Sequence, residues 1–264
     1  MKVVEIRERA RLRAYLRPRA AIHLYELGDL DDFFWPRTRW FGLEDGDELR
    51  AVVLHYASPG IATVMAIGEP DELPLLADLL AAIRSELPSR FHAHLSAGLV
   101  DALAPCDVRD RSALVRMVLT DRSRLGCAAD PRLVALGVED RDELAAFYAR
   151  SYRGNWFDAR MLETGCYVGI RDPMLIAAAG VHAYSPAERV AALGNIAVAP
   201  DRRGEGLGGQ VTAAVARSLV AMVDTIGLNV RADNASAIRC YTRLGFVPIA
   251  QYDECVVTTR DGYA

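Results

Sequence analysis

DRRGEGLGG, residues 201–209, is the most informative stretch of this sequence. It follows the apolar run NIAVAP, which is typical of a strand, and it precedes QVTAAVARSLVAMV, whose apolar spacing is typical of a helix. A helix N-terminus presents unpaired backbone N–H groups and a positive partial charge. Because glycines let this backbone bend and approach a ligand closely, the turn predicts an anion site, with a pyrophosphate as its natural occupant.

The residues of the turn also separate it from other phosphate-binding loops. Arg202 and Arg203 lie directly before the first glycine, where they would add charge-assisted contacts to an anion. A Walker loop is excluded because the segment has no lysine. Three glycines fit G-x-G-x-x-G literally, but the strand comes late in its unit and the expected acidic residue after a following strand is missing. Two alternatives to this anion site therefore stay open: a dinucleotide site, and a glycine-rich connection that binds no ligand.

Strand-like and helix-like patterns alternate along the chain. In the second half, strands are predicted at 132–138, 166–170, 174–184, 189–199 and 227–232, and helices at 140–152, at 156–163, from the glycine turn to Ile226, and at 234–245. In the first half, strands are predicted at 47–56, 61–68, 91–96 and 112–120, and helices at 1–20, 70–87 and 98–105. The segments FVPIAQY and ECVVTT are predicted to end the chain as a hairpin.

The two halves repeat one order of elements. TVMAIGEPDELPLLADLLAAI, residues 63–83, and NIAVAPDRRGEGLGGQVTAAVA, residues 195–216, both run from a strand through a turn into a long helix. The first copy lacks the glycines and the arginine pair. The sequence therefore predicts a mixed α/β (α+β) fold in two tandem copies, a degenerate domain over 1–122 and a catalytic domain over 131–264, separated by the polar stretch 121–131.

Composition limits the class of protein. The chain has 264 residues, 52% of them hydrophobic, and a net charge of −4, so it can bury a sizeable core and has no overall basic field for nucleic acid. No apolar stretch reaches the length of a membrane span, and the arginine-rich start has no apolar signal segment. Five scattered cysteines without a C-x-x-C pair indicate reduced thiols. We therefore expect a cytoplasmic protein with neither nucleic acid nor membrane as a partner.

Two motifs together resemble the GNAT acetyltransferase superfamily. Arg203, Gly206 and Gly208 match its acetyl-CoA signature [RQ]-x-x-G-x-[GA]. The segment ADNASAIRCYTRLGF is similar to the family's N-x-x-A-x-x-x-Y-x-x-x-G-F pattern, which is matched here by Asn234, Ala237, Tyr241, Gly245 and Phe246. The match covers about residues 131–260. The first half resembles the degenerate N-terminal copy of tandem GNAT proteins in its order of elements only.

The resemblance implies acetyl-CoA as co-substrate and a set of residues that bind it. The strand NIAVA should splay from its neighbour and offer backbone groups to the pantetheine arm, and the N–H group of Val198 should polarise the thioester carbonyl. Asn234 should bond either the pantetheine or the start of its own helix. The implied cofactor-binding residues are Ile196, Ala197, Val198, Arg203, Gly204, Glu205, Gly206, Leu207, Gly208, Gly209 and Asn234.

The resemblance also implies catalytic roles. Tyr241 is the expected acid that protonates the departing thiolate, with an aromatic packed under the cofactor as the alternative. Many members of the family carry a glutamate base near the position of Asn195, but AALGNIAV has no carboxylate. A water held by Asn195 is one substitute for that base, and His182 and Glu163 are two others.

The leading function is transfer of an acetyl group to a primary amine of a small molecule or a peptide, by direct attack in a ternary complex. A non-catalytic acyl-CoA sensor is the alternative, and a longer acyl donor is also open, as is a homodimer. No metal is expected, because His92 and His94 have no third ligand nearby in the sequence. Cys240 has no paired base that would make it a nucleophile.

Overall fold

The computed structural model describes residues 1–57, 60–126, 130–152, 154–155 and 157–259. The chain forms two compact units. The first contains Met1–Arg116, Arg231–Asp233 and the chain from Ile249 onward, and the second contains Met117–Val230 and Asn234–Pro248. These units differ from the predicted limits of 1–122 and 131–264 mainly at the C-terminal end, whose last strand lies in the first unit. Cys127, one of the five cysteines, lies outside the described residues.

The described residues of the first unit form seven paired strands and three α-helices. In chain order they are β1 (Lys2–Ile6), α1 (Arg9–Leu16), α2 (Leu24–Gly28), β2 (Thr38–Asp45), β3 (Glu48–Tyr56), β4 (Ala62–Ala66), α3 (Leu73–Ala82), β5 (Arg90–Ser96), β6 (Cys106–Leu119) and β12 (Phe246–Thr259), of which the last two each have one end in the second unit. The strand order is β1-β2-β3-β4-β5-β12-β6. Strand β4 pairs with β5 in parallel, whereas β1 with β2, β2 with β3, and β3 with β4 pair antiparallel.

The structure corrects the predicted helix over 1–20. Its first residues form β1, which pairs antiparallel with β2 from Lys2↔Glu44 to Ile6↔Trp40, and the helix α1 begins only at Arg9. The pairing buries Ile6 and Trp40 almost completely. Burial of these two side chains against neighbouring elements fixes the strand here, and the sequence pattern alone could not show it.

The second unit is also built from strands and α-helices. It contains β7 (Leu133–Leu136), α4 (Arg141–Ser151), β8 (Tyr167–Arg171), β9 (Leu175–Ser185), β10 (Val190–Val198), α5 (Leu207–Leu219), β11 (Thr225–Arg231) and α6 (Ala235–Arg243), in strand order β11-β10-β9-β8-β7. On α5, Leu207, Val211, Val215 and Leu219 recur every fourth residue and are buried, so one face of the helix packs on the sheet.

Two further predictions are corrected at the C-terminal side. The helix predicted to reach Ile226 ends at Leu219, because Thr225 to Leu228 pair with β10 in parallel register instead. The predicted terminal hairpin is one continuous strand, β12. Its second half pairs antiparallel with β5 from Tyr252↔Ser96 to Thr258↔Arg90, and this pairing places it in the first unit.

The predicted repeat is present in the structure. In the first unit a helix, α3, joins the parallel strands β4 and β5, and in the second unit α5 joins the parallel strands β10 and β11. Each helix packs its apolar face on strands of its own unit, so each copy has a core of its own. No helix among the described residues is both long and apolar enough to cross a membrane.

Candidate active site

The parallel strands β10 and β11 pair along only part of their length. Their register runs from Val190↔Thr225 to Leu193↔Leu228, whereas β10 continues to Val198. The end of β10 therefore has an edge that β11 does not cover, as the predicted splay requires. An uncovered strand edge offers N–H and C=O groups that an extended ligand can pair with.

A bulge at Asn195 accompanies this loss of pairing. Asn195 has a φ of +54°, which is uncommon for a residue with a side chain, and the register of β10 with β9 shifts between Gly194 and Ala197. The Asn195 side chain is 2% exposed. Its Nδ2 donates to the Tyr167 hydroxyl at 2.8 Å, and its backbone oxygen accepts from the Tyr148 hydroxyl at 2.7 Å.

Beyond the bulge, the backbone of Val198 is directed toward the uncovered edge. Ala199 N donates to Ile176 O at 2.8 Å, so Ala199 belongs to a hydrogen-bonded pair with β9. Successive N–H groups of a strand point to opposite edges. The N–H group of Val198 therefore points away from β9, to the side where pairing with β11 has ended. The side chains of Ile196 and Val198 are partly exposed, whereas Ala197 is buried.

The glycine turn leads from this edge to an uncapped helix N-terminus. Gly204 and Gly206 have φ values of +91° and +82°, and a Cβ at either position would meet nothing within 4 Å. Glycine is thus required there by backbone conformation rather than by lack of space. Helix α5 has no side-chain cap and no acidic residue in its first turn, and its first intrahelical bond runs from Gln210 N to Gly206 O at 3.2 Å. The N–H groups of 207–209 therefore have no acceptor within the helix.

The two arginines of the turn have different partners. Arg202 Nε and Nη2 donate to the Glu205 carboxylate at 2.8 and 3.1 Å, and Nη2 also lies 3.2 Å from Asp172 Oδ2. These hydrogen bonds lower the pKa of Glu205 and of Asp172, so both carboxylates are ionised. Arg202 is therefore occupied in holding the turn. Arg203 Nη2 donates at 3.1 Å to the backbone oxygen of Ser151, which is the last residue of α4. Arg203 is otherwise exposed.

Helix α6 carries the two remaining predicted residues. Asn234 Oδ1 accepts from Ala237 N at 3.1 Å, so of the two predicted roles the start of its own helix is the one observed; a contact to pantetheine stays a prediction. Tyr241 is 8% exposed and packs edge-on against Phe246, with ring centroids 6.2 Å apart. Burial raises the pKa of Tyr241 above its ordinary range. Its hydroxyl is thus protonated at neutral pH, and no described residue hydrogen-bonds to it.

The alternative catalytic residues lie at different places. His182, on β9, packs its ring against Gly194, where any Cβ would overlap the ring. Glu163 is exposed on the short turn Ala159–Thr164. Burial raises the pKa of Cys240 and so disfavours its thiolate. His92 and His94 lie on β5 in the first unit, and no metal-binding group of three or more His, Cys, Asp or Glu side chains occurs within the described ranges.

Two tyrosines complete the site and were missed from the sequence. The Tyr167 hydroxyl donates to Val181 O at 3.0 Å while accepting from Asn195 Nδ2, and this fixes which way the amide points. Asn195 Oδ1 is buried and has no hydrogen-bond partner in the described part of the chain. Gly180 leaves the space that the Tyr167 ring fills. Neither tyrosine is predicted as a site residue, because Tyr148 fits the apolar periodicity of α4 and Tyr167 fits that of β8.

Comparisons with known proteins agree on the fold. The FR47-like protein family model matches residues 167–255. Similar solved structures include a Drosophila protein (15% identity, 98% of this chain and 99% of that chain, TM-score 0.73). Another is the structure of a Novosphingobium aromaticivorans protein assigned to the GNAT family (22% identity, 83% of this chain and 91% of that chain, TM-score 0.63). A third is a tandem GNAT protein from the clavulanic acid biosynthesis pathway (15% identity, 99% of this chain and 100% of that chain, TM-score 0.59). No curated protein matches the sequence. At these identities the likeness establishes the fold, and the chemistry has to be argued from the residues.

Proposed function

We propose that this chain, a GNAT-fold protein with two copies of the fold in tandem, is an N-acetyltransferase that uses acetyl-CoA and acts on a primary amine of a small molecule or peptide. One observation carries the proposal. An uncovered strand edge at Val198 leads through a glycine turn into an uncapped helix N-terminus, all within one unit. Such a path suits an extended ligand that ends in a diphosphate.

The residues of this path fit coenzyme A. The N–H groups of Leu207, Gly208 and Gly209 are the diphosphate donors, and the left-handed glycines Gly204 and Gly206 bend the backbone around the anion. The Glu205 side chain is held by Arg202, which keeps one negative charge of the turn neutralised. The edge from Ile196 to Val198 pairs with the pantetheine arm. Acetyl-CoA supplies the activated acetyl group as a thioester.

The Val198 N–H group stabilises the developing oxyanion. It is directed to the uncovered edge, and a backbone donor on a strand needs no reorganisation during the reaction. Hydrogen bonds from the Tyr148 hydroxyl and to the Tyr167 hydroxyl hold the neighbouring Asn195 bulge and thereby limit movement of this donor. Most of the rate gain is expected from this contact and from orientation of the amine.

Proton transfer is divided between Asn195 and Tyr241. The buried Oδ1 of Asn195 is an acceptor without a partner among the described residues, so it can hold a water that takes the second proton of the amine nitrogen after attack and passes it to solvent. An amide is not itself a base, so the amine must lose its first proton to solvent before it attacks. The Tyr241 hydroxyl, which is protonated at neutral pH, donates to the departing thiolate and regains its proton from solvent once coenzyme A has left.

A second candidate is a non-catalytic acyl-CoA sensor of the same fold. It is favoured by one observation: Asn195 Nδ2 and the Asn195 backbone oxygen are hydrogen-bonded to tyrosine hydroxyls, and neither bond involves a carboxylate that could act as the base. The same cofactor path would then bind acyl-CoA, but no acceptor would be turned over.

One experiment separates the two candidates. Release of free CoA thiol from acetyl-CoA is measured with a panel of primary amines that includes diamines, aminoglycosides, amino acids and peptide N-termini. Amine-dependent release supports the transferase. Calorimetric binding of acetyl-CoA without release on any amine of the panel supports the sensor, and absence of binding contradicts both.

A further inference from the structure

The first unit repeats the β-α-β path of the second, but its strand gap is closed. All five residues of β4 pair with β5, from Ala62↔Phe91 to Ala66↔Leu95. Just beyond, Ser96 Oγ accepts from Gly68 N at 3.0 Å and donates to Gly68 O at 3.2 Å. Ser96 thus occupies the backbone groups that would otherwise be offered to a ligand. The pairing of β10 with β11, by contrast, stops at Leu193↔Leu228, five residues before the end of β10.

The helix that follows β4 also has fewer free donors. The connection from β4 to α3 spans the six residues 67–72, whereas that from β10 to α5 spans the eight residues 199–206. Pro74 is the second residue of α3, and Gly208 holds the same position in α5. Because proline has no N–H group, α3 lacks one of the three donors that α5 presents at its first turn.

A carboxylate of the chain itself is bound in the turn between β4 and α3, where its hydrogen bonds come from the turn and from neighbouring side chains and not from the first N–H groups of the helix. Glu72, the N-cap residue of α3, is 5% exposed. Its Oε2 accepts from Glu69 N at 2.8 Å, and its Oε1 accepts from the Tyr15 hydroxyl at 2.7 Å and is also bound by Arg19 Nη1. A Cβ on Gly68 would lie 2.8 Å from Oε2, so the carboxylate lies directly against the backbone after β4. A backbone N–H, a hydroxyl and a guanidinium are the donor types that bind phosphate.

We infer that Glu72 is a built-in substitute for the diphosphate in the first unit. This unit folds around its own carboxylate and binds no coenzyme A, so the chain has one cofactor site, in the second unit. The single site rests on the proposed function; the role of Glu72 does not.

Calorimetric titration of the whole chain with coenzyme A tests the number of sites. We expect one equivalent per chain, with affinity lowered at least about tenfold by Gly208→Pro, which copies Pro74 into α5. A second equivalent that survives Gly208→Pro would overturn the inference. No binding at all would contradict the proposed function instead, and the next experiment would then decide the role of Glu72.

Chemical rescue tests the built-in anion directly. Glu72→Ala should lower the melting temperature by about 5 °C or more, because three donors lose their acceptor. Formate or acetate should then restore part of this loss, relative to chloride at equal ionic strength. The exposed neighbour Asp71 provides the control, since Asp71→Asn should leave the melting temperature and its response to formate as in the wild type. An equal response to formate in all three proteins would overturn the inference.

The isosteric variant Glu72→Gln covers the case in which Glu72→Ala does not fold. Burial acts to raise the pKa of Glu72, but its hydrogen bonds and Arg19 outweigh that effect, so the pKa is lowered from 4.5. An acid with a lowered pKa contributes stability above its unfolded pKa and loses it as the pH falls through its folded pKa. The stability difference between wild type and Glu72→Gln should therefore be full at neutral pH and shrink below about pH 4.5. A difference that does not change with pH would contradict an ionised Glu72.

Discussion

At the scale of single residues, the candidate site depends on how side chains are paired and buried. Asn195 is held by Tyr148 and Tyr167, and Tyr241 is kept in its acid form by an apolar surrounding. None of these properties follows from residue type alone, because an exposed tyrosine or asparagine would have neither the fixed orientation nor the shifted pKa. Each can be tested by removing one atom.

Tyr241→Phe should lower turnover at least about a hundredfold and change the affinity for acetyl-CoA by less than about twofold, because only the proton donor is lost. Turnover is measured by stopped-flow or steady-state thiol release with the best amine of the panel, and the affinity for acetyl-CoA is measured by calorimetry. The neighbouring variant Cys240→Ser controls for disturbance of α6. Weaker binding at normal turnover would show that Tyr241 only packs under the cofactor.

Tyr167→Phe should reduce both stability and turnover. The change leaves Asn195 Nδ2 and Val181 O without their buried partner, which costs about 1–3 kcal/mol. The amide of Asn195 is then free to rotate, so turnover should fall about tenfold while acetyl-CoA still binds. Tyr184→Phe, which removes from β9 a hydroxyl that lies 3.7 Å from Met222 Sδ, is the control. Unchanged turnover in Tyr167→Phe would argue against orientation of Asn195 as part of the mechanism.

At the scale of elements, the two β-α-β paths show how the same topology is opened or closed to an anion. Helix α5 follows a glycine in left-handed conformation, and its first three N–H groups have no acceptor within the helix. Helix α3 follows Glu72, whose carboxylate is bound in the preceding turn, and it has Pro74 in its first turn. The difference lies in a few residues at the helix start, not in the order of strands and helices.

Gly208→Pro and Gly208→Ala form a matched pair for α5. Proline is tolerated in the first helical turn but removes an N–H group, so we expect the affinity for acetyl-CoA to fall about 10- to 100-fold. Alanine keeps the N–H group, and its Cβ would lie at an ordinary 3.4 Å from Val198 Cγ2, so its loss should be much smaller. Calorimetry compares the two, with circular dichroism to confirm an intact helix. Equal losses would mean that the N–H group of residue 208 does not bind the diphosphate.

At the scale of the whole molecule, the compact units are not continuous in sequence. The chain from Ile249 onward belongs to the first unit, more than a hundred residues after the rest of that unit's strands. In it Tyr252, Cys255 and Val257 are buried while Thr258 is exposed. Val257 is part of the core under α3 and lies opposite Phe91 on β5. The first unit thus depends on residues at the far end of the chain.

Val257→Asp should destabilise the first unit by about 3–5 kcal/mol, because it buries an unpaired charge in that core. Hydrogen exchange of peptides covering Arg90–Ser96 should become much faster, since β5 loses its partner strand. Thr258→Asp, one residue away on the exposed face, should leave exchange in β5 unchanged. Protection of β5 that persists in Val257→Asp would contradict the assignment of this strand to the first unit.

What could be predicted from the sequence were the features that depend on neighbours in the chain. The glycine turn, the helix after it, the Asn234 cap and the repeated order of elements are local, because glycine conformation, capping and periodicity act over a few residues. The two motifs also sufficed to predict the fold. The expectation from charge and composition that nucleic acid is not a partner stays a prediction.

Only the tertiary structure decided which groups meet. The pairing of the last strand with β5, the strand β1 in place of a helix, and the hold of Tyr167 on Asn195 join residues that are far apart in the chain. The same holds for Glu72, which is an ordinary acid in the sequence and becomes an internal anion through Tyr15 and Arg19. Burial and long-range pairing depend on the whole packed unit, and no local pattern of residue types encodes them.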